Sequence, residues 1–570
     1  MNVAAPASPD SATLIDSLLA EQRSLTAVEN FSRWHEHHAT QSHAETYRRL
    51  LPATPPRAGQ QYAFEVDLDK CFGCKACVGA CHSMNGLDDH ESWRSTGLLI
   101  GDPADAIRSR RGAAAFQQHV TTACHHCVDP GCLNGCPVLA YDKDTLTGIV
   151  RHLDDQCIGC QYCVMMCPYE VPQYSKARGI VRKCDMCHSR LAVGEAPACV
   201  QACPSSAISI TVVEQQKVRG KYRGTPTLNF AEEKRRKGER EKQRVGELSL
   251  SPLPLFTSAN LFLPASPNPA ITLPTTRYVT ARTLPESLFA GDHSLVRPSE
   301  PHWPLVILLV LSQLAVGSSV AALFVRPAMP LLVGASVVGL MAVIAGSLHL
   351  GQPLKAWRSF LGWRKSWFSR EVIAMSGFVF FVTLAVLLPV LTPLAALAGI
   401  ITVTCSAMIY VDTRREFWSA GQSFTKFFGT TLLLGAAALA ATLAIAGASH
   451  AAFAAAAVTL IVVMIAKLSF EHRLFEHLVD EEAPLQTPLN KTARLQADGL
   501  NARLRARIAC AVMGGIVLPL LSVAQFTTNA AAIPVLTIVT LLFCVTGEIL
   551  ERHLFFTAVV TQKMPGGVGS

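Results

Sequence analysis

Cysteine gives this sequence its clearest chemical signal. Sixteen of the nineteen cysteines lie between Cys71 and Cys203, in four groups along the chain. The groups are Cys71, Cys74, Cys77 and Cys81; Cys124, Cys127, Cys132 and Cys136; Cys157, Cys160, Cys163 and Cys167; and Cys184, Cys187, Cys199 and Cys203. Proline follows directly after each of the last three groups.

The spacing C-x-x-C-x-x-C-x-x-x-C-P, complete in the third group, is that of bacterial ferredoxins. There, three close thiolates hold one 4Fe-4S cubane and the fourth cysteine serves another. Sixteen thiolates therefore predict four 4Fe-4S clusters. Zinc does not explain the trailing Cys-Pro. A disulfide scaffold would require export, and the N-terminus has no signal-peptide pattern.

Because the fourth cysteine of each group crosses to another cluster, the nesting of the groups predicts the ligand sets. Groups two and three form one two-cluster unit, and groups one and four enclose it. The predicted sets are Cys71, Cys74, Cys77 and Cys203; Cys184, Cys187, Cys199 and Cys81; Cys124, Cys127, Cys132 and Cys167; and Cys157, Cys160, Cys163 and Cys136.

The chain after Trp303 has a different character, because it contains long apolar stretches. A helix needs about 20 residues to cross a bilayer core. Eight spans are predicted, of which the sixth is the weakest; they cover 303–325, 330–350, 371–391, 393–411, 427–447, 450–466, 508–526 and 531–550.

Loop charge predicts how these spans are oriented. The connections after spans two, four and six carry fifteen Lys or Arg residues, whereas the other connections carry only Arg326. Positive loops stay in the cytoplasm. This places both termini and the cysteine domain there as well.

Four regions are predicted: an N-terminal extension (1–60), a cysteine domain (61–213), a basic and proline-rich linker (214–301) and a membrane domain (302–570). The extension contains an amphipathic helix near 11–27. Strands are expected from Tyr62, at 148–153 and at 207–213. The formal net charge of +8 is concentrated in the basic run at 217–244, which suits a solvated linker near lipid headgroups better than a nucleic-acid surface.

The expected fold class is an α+β ferredoxin-like domain with two pseudo-symmetric two-cluster units, followed by an all-α bundle of eight transmembrane helices. The cysteine domain resembles the four-cluster iron-sulfur subunits of the dimethyl sulfoxide reductase family of molybdopterin oxidoreductases. The strings CHHCVDPGCLNGCP, DDQCIGCQYCVMMCPYEVPQY and GIVRKCDMC carry the resemblance. HWPLVI, SLHLGQPLKAWRS, SREV and GEILERHLFF resemble the eight-helix membrane anchor of the same family.

The chain departs from the family pattern because both subunits are joined in it, with extra N-terminal residues and no recognisable catalytic molybdopterin domain. The resemblance implies a separate catalytic subunit that carries molybdopterin. It also implies a place in the bacterial cytoplasmic membrane, and menaquinol or ubiquinol as the membrane substrate.

A quinol site needs a proton acceptor at the membrane edge, near a cluster. His349 ends the second span on the predicted cytoplasmic side, and the histidine of the resembled LHLG motif is implicated in quinol binding. Glu371, Asp412 and Arg552 are further candidates. They lie near span ends, as do Tyr410 and Glu548, so snorkelling to the headgroups is the competing interpretation.

No haem is expected, because His349 has no facing histidine within the bilayer. His450 lies at the opposite edge, and His472, His477 and His553 fall outside the predicted spans.

The leading hypothesis is an electron-transfer and anchor subunit that passes electrons from quinol to a molybdopterin partner in anaerobic respiration. With electron flow in the opposite direction, the same subunit would take electrons from a donor that the partner oxidises and deliver them to quinone. A membrane-tethered redox sensor is a third hypothesis, which four clusters and the absence of a visible signalling motif disfavour.

Overall fold

Short strands and turns build the cysteine domain of the computed structural model. The structure describes residues 13–23, 50–52, 54–101, 116–223, 262–285, 288–326, 328–478, 487–526 and 530–566. Within these ranges the strands are β1 (Gln60–Asp67), β2 (Arg94–Gly101), β3 (Gln117–Ala123), β4 (Tyr141–Lys143), β5 (Val150–His152), β6 (Gln173–Ser175), β7 (Ile180–Arg182), β8 (Ile208–Glu214), β9 (Arg277–Val279) and β10 (Leu288–Ala290).

Two three-stranded sheets and two hairpins arise from these strands. Their orders are β8-β1-β9 and β10-β2-β3, and the hairpins are β4-β5 and β6-β7. In the first sheet β1 pairs antiparallel with β8, with Ala63 opposite Thr211. Because side chains alternate across a strand, β1 buries Ala63 on one side and the neighbouring Phe64 on the other. The strands expected before the first cysteine group and around the later groups are present.

Among the described residues, seven short helices precede the membrane domain. They are α1 (Leu14–Arg23), α2 (Ala76–Asn85), α3 (Gly131–Gly135), α4 (Tyr162–Met166), α5 (His188–Ala192), α6 (Ala198–Gln201) and α7 (Gln215–Arg223). In α1 the backbone N–H groups of Thr13 and Asp16 each donate to the other residue's side chain, at 3.0 and 3.2 Å. This reciprocal cap begins the helix. The remainder of the amphipathic helix expected near 11–27 lies outside the described residues, as does most of the basic run.

The segment expected to be a linker contributes structure to the cysteine domain. β9 adds to β1 in parallel, with Glu65 opposite Arg277, and β10 adds to β2 antiparallel, with Phe289 opposite Ile100. A strand edge carries unpaired N–H and C=O groups, and the linker satisfies them. Part of the predicted linker (214–301) therefore forms two edge strands of the cysteine domain, β9 and β10.

Eight helices are long and apolar enough to cross a membrane, by length and composition, in the part of the chain that the structure describes. The helical elements of this region are α8 (Trp303–Ala321), α9 (Met329–Leu348), α10 (Trp367–Leu387), α11 (Thr392–Asp412), α12 (Ala420–Ile445), α13 (His450–His472), α14 (Pro488–Arg494), α15 (Asn501–Val512), α16 (Leu518–Gln525) and α17 (Ile533–Thr557). The short α14 is not one of the eight, and α15 and α16 belong to one span.

The expected number of spans is confirmed, but two details were wrong. The sixth span is not the weakest, because its mean hydropathy of 2.3 equals the highest of the eight. Several helices also continue past the apolar stretch at their ends: α12 includes Lys426, and α17 includes Arg552 and His553. Hydropathy marks the lipid-facing length of a helix and misses turns whose charges are buried in protein.

Close packing between α8 and α12 depends on two glycines. A Cβ atom at Gly317 would lie 2.2 Å from the carbonyl oxygen of Thr431 and 2.9 Å from the Cα of Gly435. Small residues let helix backbones approach where lipid supplies no hydrophobic driving force. The fold class, a ferredoxin-like domain followed by a helical anchor, is confirmed.

Candidate functional site

The folded cysteine domain collects the sixteen cysteines into four quartets. Three quartets each line one cavity. Quartet I is Cys71, Cys74, Cys77 and Cys203; quartet III is Cys124, Cys127, Cys132 and Cys167; quartet IV is Cys136, Cys157, Cys160 and Cys163. In quartet II, Cys81 lies beside Cys187 and Cys199, and Cys184 lies beside Cys81 and Cys199.

These quartets are the four sets that the nesting of the groups predicts. Within the described residues, no three Cys, His, Asp or Glu side chains are arranged to hold a single metal ion. Four thiols around a shared cavity suit a multi-atom cluster better than one ion. Iron ligation by all sixteen cysteines stays a prediction.

Tight turns aim backbone N–H groups at the sulfur atoms. The N–H of Ala140 donates to Cys136 Sγ, and the N–H of Ala207 donates to Cys203 Sγ, both at 3.2 Å. Gly159 N–H donates to Cys157 Sγ at 3.4 Å, and its φ of 69° lies in the left-handed region that favours glycine. Hydrogen bonds to sulfur favour the thiolate that metal binding requires.

Burial acts on the thiols in the opposite direction. It raises the pKa of Cys81 to about 12, and those of Cys136 and Cys167 to about 11. Desolvation disfavours the charged form, so the protein alone would keep these groups as neutral thiols. Iron bound at the quartets would supply the positive charge that thiolates need, and the donor set therefore fits 4Fe-4S clusters.

The quartets form a row, as the side chains between them show. Arg94 lies beside Cys77 of quartet I and Cys199 of quartet II. Lys183 lies beside Cys184 of quartet II and Cys124 of quartet III. Tyr141 lies beside cysteines of quartets III and IV. The order is therefore I, II, III and IV.

Quartet IV is the quartet that meets the membrane domain. The N–H of Gln352 donates to the carbonyl oxygen of Ile158, next to Cys157, at 3.0 Å. The N–H of Gly362 donates to the carbonyl oxygen of Pro137, next to Cys136, at 2.7 Å. Both donors belong to the loop that follows His349, between α9 and α10. That loop binds the backbone on two sides of quartet IV.

Glycines allow the two backbones to meet at this loop. A Cβ atom at Gly351 would lie 2.1 Å from the carbonyl oxygen of Gly179, and one at Gly159 would lie 2.9 Å from the Cα of Gly351. Any larger residue at these three positions would push the cysteine domain away from the membrane domain.

His349 caps α9 directly below this contact. Its Nδ1 lies at hydrogen-bonding distance from the carbonyl oxygen of Gly346. Its ring centroid lies 6.1 Å from that of Phe368, and Phe368 stacks on Tyr162 at 6.3 Å. An aromatic path thus joins His349 to the cysteine domain.

Tyr162 was missed by the sequence analysis. It precedes Cys163 of quartet IV, yet its fully buried side chain belongs to the same core as the membrane helices. Its hydroxyl donates to the carbonyl oxygen of Ile409 at 3.2 Å and lies beside the carboxylate of Asp412. An aromatic residue inside a cysteine motif gives no sequence signal for such a contact.

The carboxylate of Glu371 is buried in the membrane domain and accepts a hydrogen bond from the Ser406 hydroxyl, between α10 and α11. Snorkelling was therefore the wrong interpretation for this residue. His349, Glu371 and Asp412 all lie on helices α9 to α11 at the end that faces the cysteine domain.

Arg552 lies in a different set of side chains. It donates to Gln313 at 3.0 Å and to Thr430 at 3.2 Å, and lies 3.4 Å from Glu551. This buried ionic network contains Lys426, Lys467, Glu471, Arg507, Glu548, Glu551 and Arg552. Snorkelling was wrong here too, since Glu548 and Arg552 are fully buried. Among the described residues, no hydrogen bond or ion pair joins Arg552 to His349, Glu371 or Asp412.

His472, His477 and His553 lie within the sixth and eighth spans, contrary to the expectation that they fall outside the spans. His472 ends α13, and the His553 ring, inside α17, packs on Trp303 at 4.9 Å. The absence of haem stays a prediction, with one of its supporting reasons removed.

Two protein-family profiles match the chain. The 4Fe-4S dicluster domain matches residues 115–213, and the DMSO reductase anchor subunit (DmsC) matches residues 298–558.

Curated relatives match the cysteine domain. The B subunit of anaerobic dimethyl sulfoxide reductase from Haemophilus influenzae is 36% identical over 167 residues, which are 29% of this chain and 78% of the relative. YnfG of Escherichia coli, a probable anaerobic dimethyl sulfoxide reductase subunit, is 37% identical over 155 residues, 27% of this chain and 75% of that protein. The iron-sulfur subunit of nitrate-inducible formate dehydrogenase of Escherichia coli is 34% identical over 195 residues, 30% of this chain and 65% of the relative.

Proposed function

Because the chain belongs to the dimethyl sulfoxide reductase family, as an iron-sulfur subunit fused to a DmsC-type membrane anchor, we propose that it carries electrons from membrane quinol to a molybdopterin catalytic subunit. It is a multi-pass membrane protein with a 4Fe-4S electron-transfer domain, and its family implies a catalytic partner. Our proposal goes further on four points: quinol as the membrane substrate, four clusters, molybdopterin in the partner, and electron flow from quinol to the partner.

One observation carries this proposal: the loop that follows His349 binds the backbone on both sides of quartet IV. Electrons cross protein only over short gaps, so a donor at His349 would lie next to the first acceptor of the row. The row of quartets then leads away from the membrane. Bound clusters would supply one-electron redox chemistry at each quartet.

The protein's own groups would handle the protons of quinol. Oxidation of quinol releases protons, and His349, Glu371 and Asp412 supply acceptors around α9 to α11. Arg552 is left out of the proposed site, because its partners Gln313, Thr430 and Glu551 lie in the ionic network. Haem has no part in the proposal.

Quartet I offers the exit toward the catalytic partner. Cys74 is exposed, and the neighbouring Phe72 side chain is 58% exposed. An exposed aromatic residue beside a redox site is suited to a protein interface. We propose that the catalytic subunit docks over quartet I.

The charge of the loops supports a cytoplasmic position for the cysteine domain. This domain contacts the positively charged loops: Lys355 Nζ donates to the carbonyl oxygen of Asp155 at 3.0 Å, and Arg415 donates to that of Met165 at 3.3 Å. Since positive loops stay inside, we propose that the clusters and the partner face the cytoplasm of a bacterium.

Substitution of His349 tests the quinol site. The His349→Ala protein should keep its iron and its reduction by dithionite, but its clusters should be reduced by a menaquinol analogue at least about tenfold more slowly, a barrier change of about 1.4 kcal/mol. The control is His450→Ala, because His450 begins α13 at the opposite end of the bundle. Equal rates in the His349→Ala and unmodified proteins would remove His349 from the site.

Reverse flow is a second candidate, favoured by the similarity to an iron-sulfur subunit of formate dehydrogenase. Isolation of the native complex with its partner would separate the two directions. Quinol-driven reduction of an acceptor such as dimethyl sulfoxide supports the first, and quinone reduction by a donor such as formate supports the second.

A further inference from the structure

Two buried cations in the cysteine domain, Arg94 and Lys183, form no ion pair with an acid in the part of the chain that the structure describes. Arg94 and Lys183 are each 2% exposed, and no ion pair involves either of them among the described residues. An isolated buried charge is costly unless an opposite charge faces it. The groups that act on Arg94 are cysteines, and those that act most on Lys183 are Cys124, Cys132 and Cys184, with Asp185 contributing less.

Arg94 is held in place but incompletely bonded. One guanidinium nitrogen, Nη1, donates to the Thr121 hydroxyl at 3.1 Å, and the group lies over the Phe64 ring at 4.7 Å. The Nε and Nη2 atoms have no hydrogen-bond partner in the described part of the chain. Thr121 in turn lies 3.5 Å from Cys77 Sγ of quartet I. The guanidinium is thus fixed beside thiols.

Lys183 is held by carbonyl oxygens. Its Nζ donates to the carbonyl oxygens of Val150 and Cys184, the latter at 2.7 Å, and lies 3.7 Å from Cys124 Sγ. Carbonyl groups fix the position of the ammonium but do not neutralise it.

A third buried cation of the same domain shows the usual arrangement. Arg182, the neighbour of Lys183, pairs with Glu91 at 2.8 Å and donates to the carbonyl oxygen of Asn85 at 2.9 Å. The domain therefore does pair a buried arginine with an acid, whereas no ion pair is formed by Arg94 or Lys183 among the described residues.

Arg94 and Lys183 both lie next to quartet II. Arg94 lies between quartets I and II, and Lys183 lies between quartets II and III. Quartet II is flanked by both. A reduced cluster carries one more negative charge than an oxidised one, so a fixed cation nearby stabilises the reduced form.

We propose that Arg94 and Lys183 are positioning charges that raise the reduction potentials of the clusters at quartets I to III, most of all at quartet II. This inference rests on the proposed function, since it requires clusters at these quartets. These two charges would then favour an electron on the middle clusters more than on the cluster at quartet IV.

Potentiometric titration of the full chain, followed by its paramagnetic signals, tests the inference. Arg94→Gln should lower the reduction potentials of the clusters at quartets I and II. Lys183→Gln should lower those of the clusters at quartets II and III. Each substitution should lower the ratio of reduced to oxidised cluster about tenfold at a fixed potential, which corresponds to a reduction potential about 59 mV lower for one electron. Quartet IV should change least. A Cys→Ser change in one ligand of each quartet assigns the signals.

Charge-conserving variants and a paired variant serve as controls. Arg94→Lys and Lys183→Arg should restore most of the potential. The double variant Glu91→Gln/Arg182→Gln removes a buried pair without changing net charge, and should leave the potentials in place. If a Gln variant loses iron while its charge-conserving counterpart keeps it, the need for a counter-charge is supported as well.

Three results would overturn the inference: iron-loaded Gln variants with unchanged potentials, an equal shift in the paired control, or iron loss in the Gln and charge-conserving variants alike. The unmodified chain separates this from the proposed function. If it contains no iron and shows no signal on reduction, the proposed function itself fails.

Discussion

The Tyr162 side chain connects quartet IV to the proposed quinol site, two sites whose residues lie far apart in the sequence. It follows Cys160 by two residues, and its hydroxyl reaches the end of α11 at Ile409 and Asp412. A buried hydrogen bond of this kind contributes about 1 kcal/mol. Its position between quartet IV and the proposed quinol site makes it a sensitive probe of both.

Tyr162→Phe removes the hydroxyl and keeps the ring. We expect iron content to be unchanged and reduction by quinol to slow by about fivefold, the equivalent of about 1 kcal/mol. Rapid-mixing absorbance measurements of cluster reduction would show this. Tyr169→Phe is the matched control, because Tyr169 is buried near quartet III and bonds Thr272 within the cysteine domain. A similar loss in both variants would contradict a specific role for Tyr162.

Lys467 illustrates how the ionic network differs from surface charge. Its Nζ is bonded to Glu548 and Thr430 and lies 3.6 Å from Glu471. Lys467→Met leaves the buried carboxylate of Glu548 with one cation fewer. We expect the membrane domain to lose about 3–5 kcal/mol of unfolding free energy, as when one partner of a buried pair is removed.

Thermal unfolding in detergent, monitored by circular dichroism, would measure that loss. Lys563→Met is the control, because the Lys563–Glu170 pair at 2.8 Å is half exposed; exposed pairs contribute about 0–1 kcal/mol. Equal midpoints for the two variants would show that the network does not hold the helices together.

At the scale of elements, the loop between α9 and α10 is the joint between the row of quartets and the membrane. Gly351→Ala would place a methyl group on the carbonyl of Gly179, which the backbone cannot avoid without moving. We expect normal iron content and reduction by dithionite, but about tenfold slower reduction by quinol, because the gap between His349 and quartet IV widens.

Gly334→Ala provides the comparison for this variant. Gly334 lies within α9, outside that loop, and a Cβ there would meet nothing within 4 Å. Unaltered quinol-dependent reduction in Gly351→Ala would mean that the close approach of the backbones does not set the electron-transfer distance.

At the scale of the whole molecule, the two domains are tied together by the chain that follows each of them. The C-terminal segment after α17 returns to the cysteine domain, where Gly566 accepts from the Leu98 N–H at 3.0 Å and Met564 is buried among its residues. Thr561 donates to Glu170 at 3.1 Å. The C-terminal segment thus adds contacts between the two domains beyond those of the linker.

Removal of residues 561–570 should loosen this attachment. We expect faster hydrogen exchange at Leu98 and its neighbours in β2, since the Leu98 N–H loses its acceptor. Hydrogen exchange measured by mass spectrometry on the full chain would report it. Removal of 567–570 alone leaves Gly566 in place and should change nothing; protection of β2 that survives the longer deletion would show that the tail does not stabilise it.

The sequence by itself determined the features that depend on local order along the chain. Cysteine spacing and nesting predicted the four quartets that the fold assembles, although iron ligation is untested. Apolar length predicted eight spans, because the bilayer imposes a minimum helix length. The motifs around Cys124 and Cys157 pointed to the family.

Tertiary structure alone decided which side chains balance one another. Glu548 and Arg552 looked like groups that snorkel, but both are buried. Lys467 and Arg507, from two other helices, pair with Glu548, and Glu551 pairs with Arg552 and with Lys426 of a third. The edge strands at 277–279 and 288–290, Tyr162 at Asp412, and Arg94 between two quartets have the same origin. Each depends on residues distant in sequence that packing brings within a few ångströms, and no local pattern encodes that distance.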